Sequence, residues 1–286
     1  FAPEKGPQPL LSLDMVQGGG ECLGIAFRAD GAAIFTGGAD NKARLTLGPK
    51  ADGTTPPPTE VQVYSGHTDL VTDLAVSGDG NTLVTGSKDK TVRVWEAGTG
   101  KQIRLFQGHH EGVTAVAVRA DGRQAASGGE DGSIRLWDLS PADEHRALPG
   151  ATGPVWAVAV RPDGKRVAVA GADKTIRFYD PDTGAPDGDL TGHKAAVTAL
   201  AYFPDGNRLA SAGGDRVVKV WDVAAKAAKD LAGHELPVLA VATSGDGKLL
   251  VSGAADKTAR GWDADAGKTL WSWTAKSAVC AVAVRP

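Results

Sequence analysis

Four side-chain types that together could do chemistry recur along this chain: a histidine, a hydroxyl, an aspartate and a tryptophan. A histidine that takes a proton from a serine or threonine, while an aspartate orients its ring, activates the nucleophile in many hydrolases. The complete sets are His67, Thr85, Asp89 and Trp95; His109, Ser127, Asp131 and Trp137; His193, Ser211, Asp215 and Trp221; and His234, Ser252, Asp256 and Trp262. A catalytic set is single and converges on a cleft, whereas this set is present four times. We therefore expect no catalytic residues and no enzymatic activity.

The sets belong to a repeat with a nearly constant period. Five similar segments close the successive copies, and their aromatic residues stand 42, 42, 42 and 41 residues apart: Trp95, Trp137, Tyr179, Trp221 and Trp262. An earlier copy, KARLTL at 42–47, has Thr46 in this place and is followed by a proline-rich loop. Self-similarity at such a period is typical of repeat architectures.

Each period predicts four short strands. In the third period we place them at 113–118, 123–128, 133–137 and near 144–148. Asp-Gly pairs, which favour hairpin turns because glycine adopts positive φ without steric cost, stand at matching positions of six periods. Four-stranded units that repeat at this length predict an all-β propeller of antiparallel blades.

At the start and end of these units the sequence resembles the WD-repeat β-propeller family. Trp-Asp or Trp-Glu closes the third strand of most units. Gly-His pairs precede the innermost strand of four: Gly66–His67, Gly108–His109, Gly192–His193 and Gly233–His234. The resemblance covers nearly the whole chain after about residue 10, and the composition, rich in alanine, glycine and aspartate, looks like that of bacterial members.

The resemblance implies that the four complete sets are structural hydrogen-bond tetrads. In each, the aspartate accepts from the histidine, and the hydroxyl links the histidine to the indole N–H. The fourth period departs from the pattern, with Ala151, Val169 and Tyr179 in three of the places, and keeps Asp173. The first period also lacks the histidine and the indole, so we expect these two blades to rely on apolar packing and to be softer.

The number of blades has two interpretations. Inner-strand segments can be counted at 22–27, 71–76, 113–118, 155–160, 197–202, 238–243 and 279–284. We expect residues 1–286 to form one propeller domain, with six full repeats at about 21–274 and a seventh blade that is incomplete in this chain. The partial seventh blade would use 10–16 and 279–284, and flanking sequence of a longer protein or another chain would complete it. Six blades is the alternative.

Charge and cysteine content exclude several other classes of protein. The formal net charge is −3 without basic runs, so we expect no nucleic acid partner. No apolar run is long enough for a membrane span, and no signal peptide is recognisable. Cys22 and Cys280 lack metal-ligand spacing, and we expect no metal and no cofactor. A cytoplasmic location is the expectation, with export left open because the chain opens on Phe1.

A partner site is predicted where the family resembled commonly binds its partners, at the loops before the inner strands. The second residue of each inner strand is expected at the mouth of the central channel: Leu23, Thr72, Thr114, Trp156, Thr198, Leu239 and Cys280. Trp156 suits a binding anchor, although packing against a neighbouring blade is the competing interpretation. A mixed-charge rim is expected around it from Leu70, Lys88, Glu111, Glu130, Lys194, Glu235 and Leu236.

These observations favour a non-catalytic scaffold that binds a protein or a peptide of unknown identity through the channel-mouth face. A regulatory or structural propeller module within a larger multidomain enzyme or sensor protein is the alternative. Fold alone does not decide between the two, because function depends on the surface residues.

Overall fold

The computed structural model describes residues 21–47, 59–140 and 145–285. These residues contain 24 strands, which form six four-stranded antiparallel sheets. Each sheet uses four consecutive strands in chain order, from an inner first strand to an outer fourth strand. We number the sheets as blades one to six.

The first three blades are formed as follows. Blade one consists of β1 (Cys22–Phe27), β2 (Ala33–Gly38), β3 (Lys42–Leu47) and β4 (Thr59–Ser65). Blade two consists of β5 (Val71–Val76), β6 (Thr82–Ser87), β7 (Thr91–Glu96) and β8 (Gln102–Gln107). Blade three consists of β9 (Val113–Val118), β10 (Gln124–Gly129), β11 (Ile134–Asp138) and β12 (His145–Leu148).

The other three blades repeat the pattern. Blade four consists of β13 (Val155–Val160), β14 (Val167–Gly171), β15 (Ile176–Tyr179) and β16 (Pro186–Leu190). Blade five consists of β17 (Val197–Tyr202), β18 (Arg208–Gly213), β19 (Val217–Asp222) and β20 (Ala227–Ala232). Blade six consists of β21 (Val238–Thr243), β22 (Leu249–Ala254), β23 (Thr258–Asp263) and β24 (Thr269–Thr274).

The hairpin between the first and second strands of each blade is made by an Asp-Gly pair. The glycines of these six pairs all have φ between 65° and 73°, the left-handed region that favours glycine: Gly31, Gly80, Gly122, Gly164, Gly206 and Gly247. The turn prediction is confirmed, and the inner strands of the six blades have the predicted bounds.

Hydrophobic clusters join each blade to the next. Between blades five and six, Ala212, Val218 and Leu231 on one sheet belong to the same buried cluster as Val241 and Trp262 on the other. Four further clusters join blades one to two, two to three, three to four and four to five. The faces between blades therefore hold most of the hydrophobic core. Burying one large apolar side chain there contributes about 1.5–3 kcal/mol to folding.

The prediction of a seventh blade requires a correction. The described residues form six blades, which matches the alternative, and residues 279–284 are not a strand. They follow β24, and no further strand follows them among the described residues. A segment without such a neighbour lacks the N–H and C=O groups that would complete a β-sheet ladder. The predicted outer strand at 10–16 lies outside the described residues.

Candidate partner-binding site

The tetrad of blade five is a continuous chain of hydrogen bonds that joins a loop, two strands and a turn. The Nδ1–H group of His193, in the loop before β17, donates to Asp215 at 2.9 Å. The Ser211 hydroxyl on β18 lies 2.7 Å from Nε2 of the same ring. The indole N–H of Trp221 on β19 donates to Ser211 at 2.8 Å. All three side chains around the hydroxyl are buried, so the satisfied bonds remove the cost of burying polar groups.

Blades two, three and six repeat this chain. In these three blades the histidine Nε2 lies 2.7–2.8 Å from the hydroxyl, and the indole donates to the same hydroxyl at 2.8–2.9 Å. The hydroxyls are 0% exposed: Thr85, Ser127 and Ser252. Such sets lie inside separate blades and do not converge on a common cleft, which is the geometry of a structural network.

Burial and hydrogen bonds shift the pKa values of the tetrad groups in a consistent direction. Burial lowers the pKa of His109, His193 and His234 against the opposing effect of their aspartates. Burial raises the pKa of Asp131, but hydrogen bonds from Ser133 and neighbouring backbone N–H groups outweigh it and hold the pKa at about 2. These three histidines are therefore neutral and Asp131 is ionised at neutral pH.

Blade four replaces the tetrad with other contacts. Val169 takes the place of the hydroxyl and is buried. Arg177 donates to Asp173 at 2.6 Å, so an arginine binds the aspartate where the four tetrad blades use histidine. The Tyr179 hydroxyl donates to the carbonyl of Pro149. The same kind of ion pair joins Arg44 and Asp40 in blade one, and we had not predicted either arginine.

A bulge at the start of each inner strand turns one side chain towards the channel. The second strand pairs with the residues on either side of this position and skips the residue itself, as between Val155 and Ala157. A bulge adds one residue to a strand and re-aims its side chain. The skipped residues are Leu23, Thr72, Thr114, Trp156, Thr198 and Leu239. Together with Cys280 they line a central cavity of about 280 Å³.

The threonines among these residues use their hydroxyls to join blades. Thr72 donates to the carbonyl of Val113 at 2.6 Å, and Thr198 donates to that of Val238 at 2.5 Å. Thr114 makes the equivalent bond to Val155. Each acceptor lies on the inner strand of the next blade, so these hydroxyls hold the ring together.

Trp156 occupies the same bulge in blade four but stays 39% exposed at the cavity. The loop before it is fixed by the carbonyl of Pro154, which accepts from the N–H of Ala172 at 2.9 Å. Pro237 holds the corresponding loop of blade six through the N–H of Ala255 at 2.9 Å. A large, partly exposed indole thus lies at the start of β13, next to a loop that a backbone hydrogen bond fixes.

The predicted rim is partly paired. Lys88 and Glu130 form an ion pair that joins the turns of blades two and three. Leu236 is 48% exposed, and Glu235 is exposed beside it, with its backbone N–H donating to Asp256 at 2.9 Å. Three more predicted rim residues are partly or fully exposed in the loops before β5, β9 and β17: Leu70, Glu111 and Lys194.

Asp73 is a channel residue that the sequence analysis missed. It lines the cavity next to Thr72, and its carboxylate accepts from the N–H groups of Leu74 and Val116, each at 2.8 Å. Burial raises the pKa of Asp73 to about 7. The sequence repeat could have revealed Asp73, because the equivalent position is alanine in the next blades, for example Ala115 and Ala157.

Two further observations concern ions and membranes. Within 21–47, 59–140 and 145–285, no group of three or more histidine, cysteine, aspartate or glutamate side chains is placed to hold a metal ion. No helix in the same part of the chain is long and apolar enough to cross a bilayer.

Radial four-stranded blades around a channel define this chain as a β-propeller. The family described as "WD domain, G-beta repeat" matches residues 58–96, 100–138, 143–180, 184–222 and 226–263, together more than half of the chain. The chain belongs to the WD-repeat family.

Individual relatives match a short part of the chain. The "Ribosome biogenesis protein BOP1 homolog" proteins of Drosophila erecta and Drosophila melanogaster are each 54% identical over 48 residues. The match covers 17% of this chain and 6% of each relative. The homologue from Drosophila willistoni is 52% identical over the same length. These relatives are eukaryotic, so the comparisons do not support the bacterial resemblance.

Proposed function

We propose that this chain is a non-catalytic scaffold that binds a protein or a peptide at the channel-mouth face, with Trp156 as the central anchor. The observation that carries the proposal is the difference among the bulge residues. The hydroxyls of Thr72, Thr114 and Thr198 bond to neighbouring blades, whereas the Trp156 indole is 39% exposed. Membership of the WD-repeat family supports protein binding in general.

The surroundings of Trp156 favour a polypeptide ligand. Leu239 lies on the cavity wall, and Leu70 and Leu236 add apolar surface to the rim. The Lys88–Glu130 ion pair and Glu235 give the rim both signs of charge. Apolar anchors inside a mixed polar rim are typical of protein interfaces.

A module role within a larger protein is the second candidate. The match spans 6% of each fly relative, so those relatives carry this repeat inside a much longer chain. If this chain has the same organisation, the channel-mouth face binds another domain or subunit of that assembly.

The test is a pull-down that compares wild type with Trp156→Asp and with a matched control, Ile103→Asp. Ile103 is 49% exposed on the outer strand of blade two, away from the channel. We expect a protein that is retained by wild type and by the control but lost by Trp156→Asp. With the purified partner, Trp156→Asp should weaken binding about 30-fold or more, as for a hot-spot residue. Equal capture by all three proteins would refute the proposed site.

A further inference from the structure

A single aspartate interrupts a ring of small residues next to the channel mouth. The third residue of each inner strand, and of segment 279–284, lies on the wall of the central cavity: Gly24, Asp73, Ala115, Ala157, Ala199, Ala240 and Ala281. All of them except Asp73 have at most a methyl group as side chain. Among the described residues on this wall, Asp73 carries the one charged side chain. Blade two therefore gives the cavity a carboxylate that the repeat does not require.

The carboxylate of Asp73 is held by two backbone N–H groups and by no basic side chain of the described residues. One oxygen accepts from the N–H of Leu74 on the same strand, and the other accepts from the N–H of Val116 on blade three. The described part of the cavity wall holds no lysine, arginine or histidine. Burial raises the pKa of Asp73 to about 7, and the two N–H groups oppose this only in part. A carboxylate in such surroundings gains most from a cation.

The threonine hydroxyls on the same wall are available as acceptors. The hydroxyl of Thr72 donates its one hydrogen to the carbonyls of Gly86 and Val113, which lie 3.0 Å and 2.6 Å away. Thr114 and Thr198 also donate to carbonyls. Each hydroxyl oxygen keeps lone pairs for a further donor. These side chains suit a ligand group that donates hydrogen bonds and accepts none, as an ammonium group does.

The size of the cavity and the position of Trp156 suit the entry of one long side chain. The volume of about 280 Å³ lies just below the usual range for small-molecule pockets, which is about 300–1,000 Å³. Trp156 lies on the same cavity with 39% of its surface exposed. The face of an indole attracts a cation that lies within about 6 Å of the ring centre. A lysine side chain has an apolar stem that can pack on the indole and a compact ammonium group at its end.

We propose that Asp73 determines the specificity of the channel-mouth site by binding the ammonium group of a lysine that the partner polypeptide inserts past Trp156. This inference rests on the proposed function and adds the chemistry of the ligand to it. Lysine fits better than arginine because each oxygen of Asp73 already accepts one backbone N–H. A guanidinium binds a carboxylate best through both oxygens at once, whereas an ammonium group acts as a point charge.

The test is a titration of the purified full chain with three short capped glycine–serine peptides that differ in one central residue: lysine, norleucine or arginine. Amide chemical shifts of the inner strands and the indole N–H shift of Trp156, measured by NMR, follow binding. We expect half-saturation below about 5 mM for the lysine peptide. The norleucine peptide, which has a similar stem without the charge, should bind at least about tenfold more weakly. The arginine peptide should also bind more weakly than the lysine peptide.

Two variants remove one negative charge each from the same blade. Asp73→Ala introduces the residue that blades three to six have at this position, for example Ala115, so we expect it to fold. It should weaken binding of the lysine peptide at least about tenfold and leave binding of the norleucine peptide unchanged. Asp69→Ala is the matched control, because Asp69 is exposed in the loop before β5 and lies outside the cavity wall. This variant should bind the lysine peptide as wild type does.

The outcomes separate a specific carboxylate from a general effect of charge. Equal binding of the lysine and norleucine peptides, or equal weakening by the two variants, overturns the proposal. Failure of wild type to bind the lysine peptide overturns it as well. Tighter binding of the arginine peptide overturns the assignment to lysine. No partner protein enters the titration, so its result and that of the Trp156→Asp pull-down can fail independently.

Discussion

Blades four and five are neighbours with the same topology, but different forces hold them. Blade five joins its strands through the buried bonds of Ser211 to a histidine and to Trp221. Blade four has Val169 and Tyr179 in these places, and Arg177 binds its turn aspartate instead. Blade four lacks the tetrad, as blade one does, and it carries an exposed tryptophan at the channel. Blade four therefore keeps the four-stranded fold without the tetrad, through the contacts of Asp173 and Tyr179 instead.

The largest effect should come from breaking the tetrad of blade five. His193→Ala leaves Ser211 and Asp215 buried without their partner, and we expect a loss of about 3 kcal/mol in the free energy of unfolding. Urea denaturation measures it. Thr152→Ala, which removes an exposed 3.3 Å contact to Asp173 in blade four, is the control and should change stability by less than about 0.5 kcal/mol. A loss well below 1 kcal/mol for His193→Ala would contradict the structural assignment.

In blade four the equivalent change should be smaller. Tyr179→Phe removes one hydrogen bond to Pro149 but keeps the ring in its buried place, so we expect a loss of about 1 kcal/mol. The same denaturation experiment compares it with His193→Ala. A loss equal to that of His193→Ala would remove the contrast between the blades.

Mild acid should act through the buried tetrad histidines, which blade four lacks. Burial lowers the pKa of His193 in the folded chain, so below about pH 6.5 the unfolded chain binds the proton first. The contribution of His193 is complete above that pH and is lost as the pH falls from there through the lowered pKa of the folded chain. His109 and His234 act with the same sign. The combined contribution of these three histidines to the stability of wild type should therefore decline over this range.

The decline in the free energy of unfolding with falling pH should be shallower in His193→Ala, because this variant lacks one of the three histidines. Asp73 acts with the opposite sign, because its folded pKa of about 7 lies above the unfolded value and its contribution falls as the pH rises. Its effect cancels when the two proteins are subtracted at each pH. Identical slopes for wild type and His193→Ala would show that His193 titrates equally in both states.

The smallest effect on stability belongs to Trp156. Its side chain is 39% exposed, and Trp156→Asp should change the free energy of unfolding by less than about 0.5 kcal/mol while it abolishes partner capture. Thermal melts of the purified variant measure the first quantity. A loss near that of His193→Ala would assign Trp156 to packing between blades.

Most of the blade architecture was predictable from the repeat. The bounds of the six inner strands and their Asp-Gly turns follow from short runs of apolar and small residues and from glycine, which are local properties. The channel-facing position of Trp156 was expected only from the family resemblance, and the bulge that produces it was not predictable, since VWAVAV is an apolar run like the other inner strands. Nor was the role of Arg177, because other blades carry a basic residue at the same place beside a histidine.

By itself, the sequence determined the four-stranded unit, its period and the identity of the residues that recur within it. Those features depend on contacts between residues close in the chain, and the same sequence pattern recurs in each period. Only the tertiary structure decided the six blades of the described residues, the threonine bonds from Thr72 and Thr198 to the next blade, and the exposure of Trp156. These depend on how neighbouring sheets pack around the ring, and a side chain is buried or open according to whether a further sheet stands beside it.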